Sequence, residues 1–301
     1  SEFYKLEGLE KRNIQISSLK IPKNRIVTIT GESGCGKSTL VKDCIAPYFE
    51  KKYASQKGRS RYIDFNQGVD ARLFTDEIVS LLAQVPVRPL RIAFDDIKTE
   101  RAYTSALKMS VKYGIKDFSN YLLYNFREKP IDLYHRMRIN VDLCEELNVS
   151  IYSFPMKYHP IRDEHSHDRD YIGEHWNRKY IRAVQAILNA TKGKIGRGVS
   201  FFEKAFGKNE DEFMELLIMP ETFLLFRFFF EHLGYTQKWR NEMSTLTNEE
   251  RDILYPIIFK NDFNHIDDLT NNPKLLQILQ YYKNYRSEIA DENSELYKLK
   301  K

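Results

Sequence analysis

A glycine-rich stretch near the start of the chain carries residue types that bind phosphate groups. Residues 31–38 read Gly-Glu-Ser-Gly-Cys-Gly-Lys-Ser and match the spacing G-x-x-x-x-G-K-[ST]. Glycines allow such a loop to curl so that successive backbone N–H groups point at phosphate oxygens. The lysine ammonium reaches the outer phosphates, and the serine hydroxyl is a ligand for Mg²⁺. The spacing therefore predicts a nucleotide site, with ATP and Mg²⁺ as its ligands.

Eight residues of this loop are predicted to bind the nucleotide: Gly31, Ser33, Gly34, Cys35, Gly36, Lys37, Ser38 and Thr39. Lys37 is the predicted catalytic cation, and Ser38 is the predicted metal ligand. Cys35 contributes its backbone N–H group, and its thiol is interpreted as a small filler.

Two acidic residues follow an apolar run further along the chain. Asp95 and Asp96 come directly after Leu-Arg-Ile-Ala-Phe at residues 90–94, a run that is typical of a buried strand. In P-loop proteins, a carboxylate at the end of such a strand can hold Mg²⁺ through water. Both residues are candidate catalytic acids, and Asp95 is also a candidate metal ligand. The alternative interpretation gives them only a structural role at the strand end.

The elements that position these residues alternate between strands and helices in the first half of the chain. Apolar β-branched and aromatic runs predict strands at 26–30, 61–65, 90–94, 120–125 and 149–154. Helical periodicity predicts helices at 37–50, 75–84, 100–113 and 131–147. This alternation is typical of a parallel sheet or barrel with right-handed crossovers.

After residue 160 the periodicity becomes helical throughout. It predicts helices at 176–191, 209–217, 221–233, 248–259 and 273–287. The predicted fold class is therefore α/β, with a P-loop unit and a partial barrel of βα units followed by an α-helical C-terminal domain. The predicted domains are 1–57, 58–161 and 162–301.

The residues around the glycine-rich loop resemble a known family. The segment 13–43, which reads NIQISSLKIPKNRIVTITGESGCGKSTLVKD, is similar to the start of ABC-type ATPases, and among them to the excision-repair branch. The resemblance covers residues 10–50 and implies that ATP binds there with Mg²⁺. No signature of the L-S-G-G-Q type occurs in the chain, so ATP hydrolysis and binding without hydrolysis both remain open.

Three later stretches resemble a different family. Residues 62–77, 90–100 and 120–161 are similar to the later strands of a radical S-adenosylmethionine barrel, within a resemblance that spans 58–235. It implies half of a βα barrel with a ligand at the carboxyl ends of the strands. The family's cluster motif C-x-x-x-C-x-x-C is missing from the sequence. An iron–sulfur cluster is therefore not expected, and S-adenosylmethionine is an alternative cofactor.

Polar residues follow the predicted strands of this partial barrel: Asn66, Gln67, Asp70 and Arg72 after one strand, and Asn125 and Arg127 after another. Because ligands bind at the carboxyl ends of parallel strands, these side chains are expected to line a pocket. Arg72 is the predicted anion contact, and S-adenosylmethionine is expected near residues 66–72. The alternative is that these polar residues only form turns and caps.

A basic segment in the C-terminal half is a candidate nucleic-acid surface. Its cations are Lys179, Arg182, Lys192, Lys194 and Arg197. Clustered lysine and arginine side chains could contact a phosphate backbone. The alternative is a basic helix end that precedes a flexible turn.

The composition limits the remaining possibilities. The net charge is +5, which permits an acidic partner without requiring one, and 13% aromatic residues are typical of a folded chain. The three cysteines are odd in number and their spacing fits no disulfide framework, which favours a reducing interior. The most apolar window, 223–230, is too short to cross a bilayer, and no signal peptide is recognised. The sequence thus predicts a cytoplasmic protein without membrane contact, and it leaves the oligomeric state open.

Three functions remain compatible with these residues. The first is a nucleotide-binding protein with ATPase activity as an option. The second is a radical-S-adenosylmethionine-like enzyme, or a remnant without a cluster, that acts on nucleic acid or peptide. The third is a non-enzymatic module that a nucleotide regulates.

Overall fold

The computed structural model describes residues 2–12, 14–23, 27–30, 35–53, 61–161, 168–193, 195 and 198–300. The backbone contacts divide the chain into two compact units, Ser1–Arg61 and Tyr62–Lys301. One hydrophobic core extends through the second unit from Ala71 to Ile289. The three predicted domains 1–57, 58–161 and 162–301 stay a prediction.

The first unit contains a β-hairpin and a helical segment. Its strands are β1 (Phe3–Lys11) and β2 (Ile14–Pro22), which pair antiparallel. Leu6 and Ile14 are the buried apolar residues of this hairpin. The helical segment consists of α1 (Lys37–Thr39), a π-helical stretch (Leu40–Ile45) and α2 (Ala46–Tyr53). The helix predicted at 37–50 is therefore confirmed, with a widened middle turn.

The buried strand predicted at 26–30 is wrong for its described residues. Residues 27–30 are irregular, and Val27 and Ile29 are 47% and 37% exposed. In the described part of this unit the only sheet is the two-stranded hairpin. A β-branched run becomes a buried strand only where a neighbouring strand accepts its hydrogen bonds, so propensity alone does not decide the outcome here.

The second unit contains a parallel sheet of three strands. Its strands are β3 (Leu90–Arg91), β4 (Asp117–Tyr124) and β5 (Ser150–Lys157), in that order. The helices of this part are α3 (Asp76–Leu82), α4 (Glu100–Lys112) and α5 (Pro130–Glu146). Because α4 and α5 connect successive parallel strands, the structure is a mixed α/β fold as predicted. The partial barrel stays a prediction.

The strand predicted at 61–65 is reduced to one parallel bridge between Ile63 and Val87. The N–H of Ile63 donates to the carbonyl of Pro86 at 2.8 Å, and the N–H of Arg88 donates to the carbonyl of Ile63 at 2.9 Å. The preceding step of this ladder would need an N–H group from Pro86, which proline does not have, so the ladder cannot extend toward residue 61.

The rest of the second unit is helical. Its helices are α6 (Arg178–Ala190), α7 (Val199–Phe206), α8 (Glu210–Ile218), α9 (Glu221–Leu225), α10 (Arg227–His232), α11 (Tyr235–Ser244), α12 (Asn248–Lys260), α13 (Pro273–Leu279), α14 (Arg286–Ala290) and α15 (Glu295–Lys300). Several begin at side-chain caps, including Asn177, Asn209 and Thr247. The predicted helical character of this region is confirmed. No helix in the described ranges is long and apolar enough to span a membrane.

The two faces of the parallel sheet differ. Buried residues of β4 and β5, such as Leu122 and Ile151, belong to the same core as Met137 of α5. On the other face of β5, Tyr152, Phe154 and Met156 are 58%, 44% and 45% exposed. Alternate residues of a strand point to opposite faces, so β5 shows a buried face and an exposed apolar face.

Candidate phosphate loop and strand-end site

The described part of the glycine-rich loop, residues 35–39, has the backbone form of a helix start behind a tight turn. Gly36 has φ 90° and ψ 13°, a left-handed conformation that glycine adopts without strain. The helical segment begins at Lys37, and the N–H of Leu40 donates to the carbonyl of Gly36 at 2.8 Å. The first N–H groups of a helix have no acceptor within the helix, which makes this end suited to an anion.

The side chains of this loop segment are accessible. Lys37 is half-buried, and its ammonium donates to the sulfur of Cys35 at 3.7 Å. Ser38 is exposed and sits one residue inside the helix start, where its hydroxyl can meet a metal ion beside the phosphates. The Cys35 thiol therefore has a polar contact that the interpretation as a filler did not include.

Three of the predicted nucleotide-binding residues, Gly31, Ser33 and Gly34, lie outside the described residues. The assignments of Thr39 and of the loop as a whole to the nucleotide stay predictions.

Asp95 and Asp96 follow β3 (Leu90–Arg91) by a few residues and have different surroundings. A carboxylate oxygen of Asp96 accepts the N–H of Lys98 at 2.9 Å and caps the short 3₁₀ turn that follows. The carboxyl group of Asp95 accepts a hydrogen bond from the backbone of Leu123, and burial raises its pKa while Arg136 opposes that rise. Asp96 thus has the capping role of the alternative interpretation, and the catalytic and metal-binding roles of Asp95 stay predictions.

Arg136 is a residue of the strand-end site that the sequence interpretation missed. It lies on α5 and is fully buried. Its guanidinium donates to the carbonyl of Phe94 at 3.0 Å and to the carbonyl of Leu123 at 2.7 Å. Burial lowers its pKa, and the carboxylates of Glu128 and Asp95 oppose that shift. Arg136 therefore holds two strand ends together beside Asp95, and its position on the apolar face of α5 was the signal available in the sequence.

The guanidinium of Arg72 already binds the carboxylate of Asp70, two residues earlier in the chain. Its guanidinium donates to both carboxylate oxygens of Asp70, with the shortest distance at 2.6 Å. Asp70 also caps the 3₁₀ turn Ala71–Leu73, and these hydrogen bonds lower the pKa of Asp70 to about 2. Nearby, Asn66 accepts a long hydrogen bond from Tyr121 at 3.4 Å. Arg72 is 71% exposed at its side chain, so an anion would have to share the guanidinium with Asp70.

Asn125 does not line a pocket, contrary to the expectation for the strand ends. It is fully buried and has a left-handed φ of 70°. Its amide donates to the carbonyl of Tyr171 at 2.9 Å and accepts the N–H of Gly173 at 2.9 Å. These bonds tie a later loop to the end of β4, which is the reason for its burial. Arg127 instead lies over the ring of Phe126, 5.2 Å from its centre.

The basic segment contains a lysine that cannot contact nucleic acid. Lys179 was expected on this surface, but it is fully buried on α6 and its ammonium donates to the carbonyl of Met219 at 2.5 Å. Burial lowers the pKa of Lys179 to about 7. The reason is its position on the apolar face of the helix, four residues before the buried Ala183.

Of the other four residues of the basic segment, two are described by the structure. Arg182 is exposed and paired with Glu221, and Lys192 is exposed. Lys194 and Arg197 lie outside the described residues. A nucleic-acid contact in this segment stays a prediction.

In the ranges that the structure describes, no group of three or more His, Cys, Asp or Glu residues could hold a metal ion. Cys35 is exposed, and Cys44 and Cys144 are buried free thiols.

Comparison with known proteins gives one match. The family model described as "ABC transporter" matches residues 14–124, which is less than half of the chain. The matched range includes Lys37, Ser38, Asp95 and Asp96, and it supports a P-loop nucleotide-binding ATPase of the ABC type at the N-terminal part. No curated protein and no solved structure matches the chain significantly. The resemblance to radical S-adenosylmethionine proteins is not among these findings.

Proposed function

We propose that this protein binds Mg-ATP through residues 31–39 and that it is a nucleotide-binding ATPase. The proposal is supported because the family match and the helix start fall on the same residues. The match to the ABC transporter family covers the loop, and in the structure a left-handed Gly36 leads directly into a helix that begins at Lys37. A helix start behind a glycine turn is the arrangement that holds phosphates in P-loop proteins.

Each side chain of the loop then has a distinct role. The Lys37 ammonium leaves the Cys35 sulfur and neutralises the outer phosphates, which carry most of the negative charge. The Ser38 hydroxyl would hold Mg²⁺. Asp95 stays the second candidate ligand for Mg²⁺, and it would have to be ionised to act in that role. Mg²⁺ supplies charge neutralisation of the phosphates when it is bound.

Titration calorimetry with ATP and Mg²⁺ tests the binding step. We expect Lys37→Ala to weaken binding about tenfold or more, because a charge-assisted contact to phosphate is lost. Lys42→Ala is the matched control, since Lys42 is an exposed lysine of the same helical segment. Equal ATP affinity in the wild type and in Lys37→Ala would show that the loop does not hold the nucleotide.

The assignment of Asp95 has its own matched pair of variants. Asp96→Asn keeps an acceptor for the N–H of Lys98, because asparagine caps a turn as well as aspartate does. Asp95→Asn removes the charge that would hold Mg²⁺. We expect Asp95→Asn to reduce only the Mg²⁺-dependent part of ATP affinity and Asp96→Asn to leave it unchanged. A loss that is the same in EDTA would instead indicate that Asp95 acts on the fold.

Phosphate release separates hydrolysis from binding alone. Hydrolysis needs an acid or polar group that orients the attacking water. A turnover that disappears in Lys37→Ala supports the ATPase. If ATP binds and no phosphate is released, with or without nucleic acid, the nucleotide has a regulatory role.

S-adenosylmethionine is the second candidate ligand. The parallel sheet favours this ligand, because its strands follow one another in chain order. The polar residues Asn66, Asp70 and Arg72 lie next to the two isolated bridges, Ile63–Val87 and Val69–Ile92. Calorimetry with S-adenosylmethionine, repeated on Arg72→Gln, tests this candidate. The control Arg88→Gln removes another exposed arginine, one that pairs with Asp117. Absent heat removes S-adenosylmethionine from consideration, and heat that is equal in all three proteins shows that Arg72 does not hold it.

A further inference from the structure

A polar cavity lies in the helical part of the second unit, and none of its lining residues belongs to the phosphate loop. Its volume is about 240 Å³. Its wall combines Arg182 of α6, Glu221 of α9, the segment that follows α12, and the segment that leads into α14 at Arg286. Four separate elements therefore meet around one space, and polar groups dominate the lining.

The charges around this cavity do not balance. Glu221 accepts two hydrogen bonds from Arg182, at 2.6 and 3.0 Å, and it also pairs with Arg286. Two guanidinium groups thus share one carboxylate. Each guanidinium has five N–H donors, and within the described residues Glu221 is the acceptor for two on Arg182 and one on Arg286. The cavity wall therefore has a net positive charge and spare donors.

The remaining wall suits a small polar ligand. Asn261 and Asn284 line the cavity, and amide groups can donate to an anion. The rings of Phe263 and Tyr282 form one side and stack with their centres 4.9 Å apart. Behind Tyr282 lies the buried ammonium of Lys179, 5.9 Å from the ring centre, which adds a third cation near the space when it is protonated.

We propose that this cavity binds the phosphate group of a small phosphomonoester. Two arginine forks from different helices converge on it, and such forks match the oxygens of a phosphate group. A tetrahedral dianion can accept from both forks and from an asparagine amide at once. The volume admits a phosphate and a small organic group, and it is below the usual range for larger ligands.

A purely structural role for the two arginines predicts a different behaviour. In that case the ion pairs of Glu221 would only hold α14 against α6, and an added anion would change neither the unfolding temperature nor the heat of titration. The two roles differ in whether phosphate changes the protein, so ligand titration decides between them.

The test uses the full chain in a Lys37→Ala background, so that the phosphate loop does not contribute. Inorganic phosphate and glycerol 3-phosphate are titrated by calorimetry at constant ionic strength, and the unfolding temperature is measured by scanning calorimetry. The test variant is Asn284→Asp, which adds a negative charge to the cavity and still accepts the N–H of Arg286. The control is Asn241→Asp, an exposed residue outside the cavity that still accepts from Gln237.

We expect inorganic phosphate and glycerol 3-phosphate to bind and to raise the unfolding temperature. Asn284→Asp should lower the affinity for both compounds about tenfold, and Asn241→Asp should leave it unchanged. Arg286→Gln should also abolish the phosphate-dependent rise, whatever it does to the unfolding temperature without phosphate. Absent binding, or binding that is equal in both aspartate variants, overturns the proposal. A short oligothymidylate serves as the other phosphate source. Should it bind through Arg286 while the small phosphates do not, the small-molecule assignment is wrong.

Discussion

The buried lysine of α6 gives a prediction whose size follows from the structure. Lys179 has a pKa of about 7 in the folded chain, and the ordinary value is 10.5. Between these two values the unfolded chain binds more protons than the folded chain, so the free energy of unfolding rises with pH across that window. One pH unit corresponds to about 1.4 kcal/mol. We therefore expect Lys179 to add about 2 kcal/mol of stability between pH 7 and pH 9.

The assay compares the wild type with Lys179→Met, because the difference between the two proteins cancels the titration of most other groups. Urea unfolding followed by circular dichroism at pH 7, 8 and 9 gives the free energy of unfolding for each. Lys238→Met, at an exposed lysine of α11, is the control and should run parallel to the wild type. A wild-type minus Lys179→Met difference that stays flat over this range would refute the argument from burial.

Three further predictions concern the strand ends. A carboxyl titration by nuclear magnetic resonance should place the pKa of Asp70 at about 2, and Arg72→Gln should return it toward the ordinary range; an unchanged value would mean that Arg72 is not its partner in solution. Gly173→Ala should lower the free energy of unfolding by about 1–3 kcal/mol, because the added carbon would lie 2.3 Å from the carbonyl oxygen of Phe126; no loss in urea unfolding would mean that the loop moves aside easily. Arg136→Met should cost about 3 kcal/mol or more, because the carbonyls of Phe94 and Leu123 lose their donor; a neutral result would show that water replaces the guanidinium.

Helix positions were the part of the fold that the sequence predicted best. Asn209 and Thr247 accept N–H groups at helix starts, so the side chains that mark the boundary also create it. Two features of the helices were harder to predict from the sequence. The helix expected at 221–233 is interrupted at Phe226, whose φ and ψ are −117° and 43°. The helix α11 is mostly polar, with Trp239 as its main buried residue, and so its periodicity is weak.

The candidate sites were predictable to different degrees. The phosphate loop follows from local spacing, because the backbone of one short segment forms it. Asn125 became a structural residue because its partner, Gly173, reaches it only in the folded chain. The contact of Asp96 with the N–H of Lys98 is local, and this structural role was one of the two interpretations of the sequence. The meeting of Arg182 and Arg286 on Glu221 brings together residues far apart in the chain, and single-sequence patterns carry no information about such distances.

The exposed aromatic side of β5 has a practical consequence for measuring this protein. Environment-sensitive dyes fluoresce when they adsorb to accessible rings, and Tyr152 and Phe154 present such rings in the native fold. The native state should therefore give a strong dye signal before any heating, and the increase on melting should be small. Calorimetric or spectroscopic melting curves will report the loss of structure, whereas fluorescent thermal-shift screens will underestimate it.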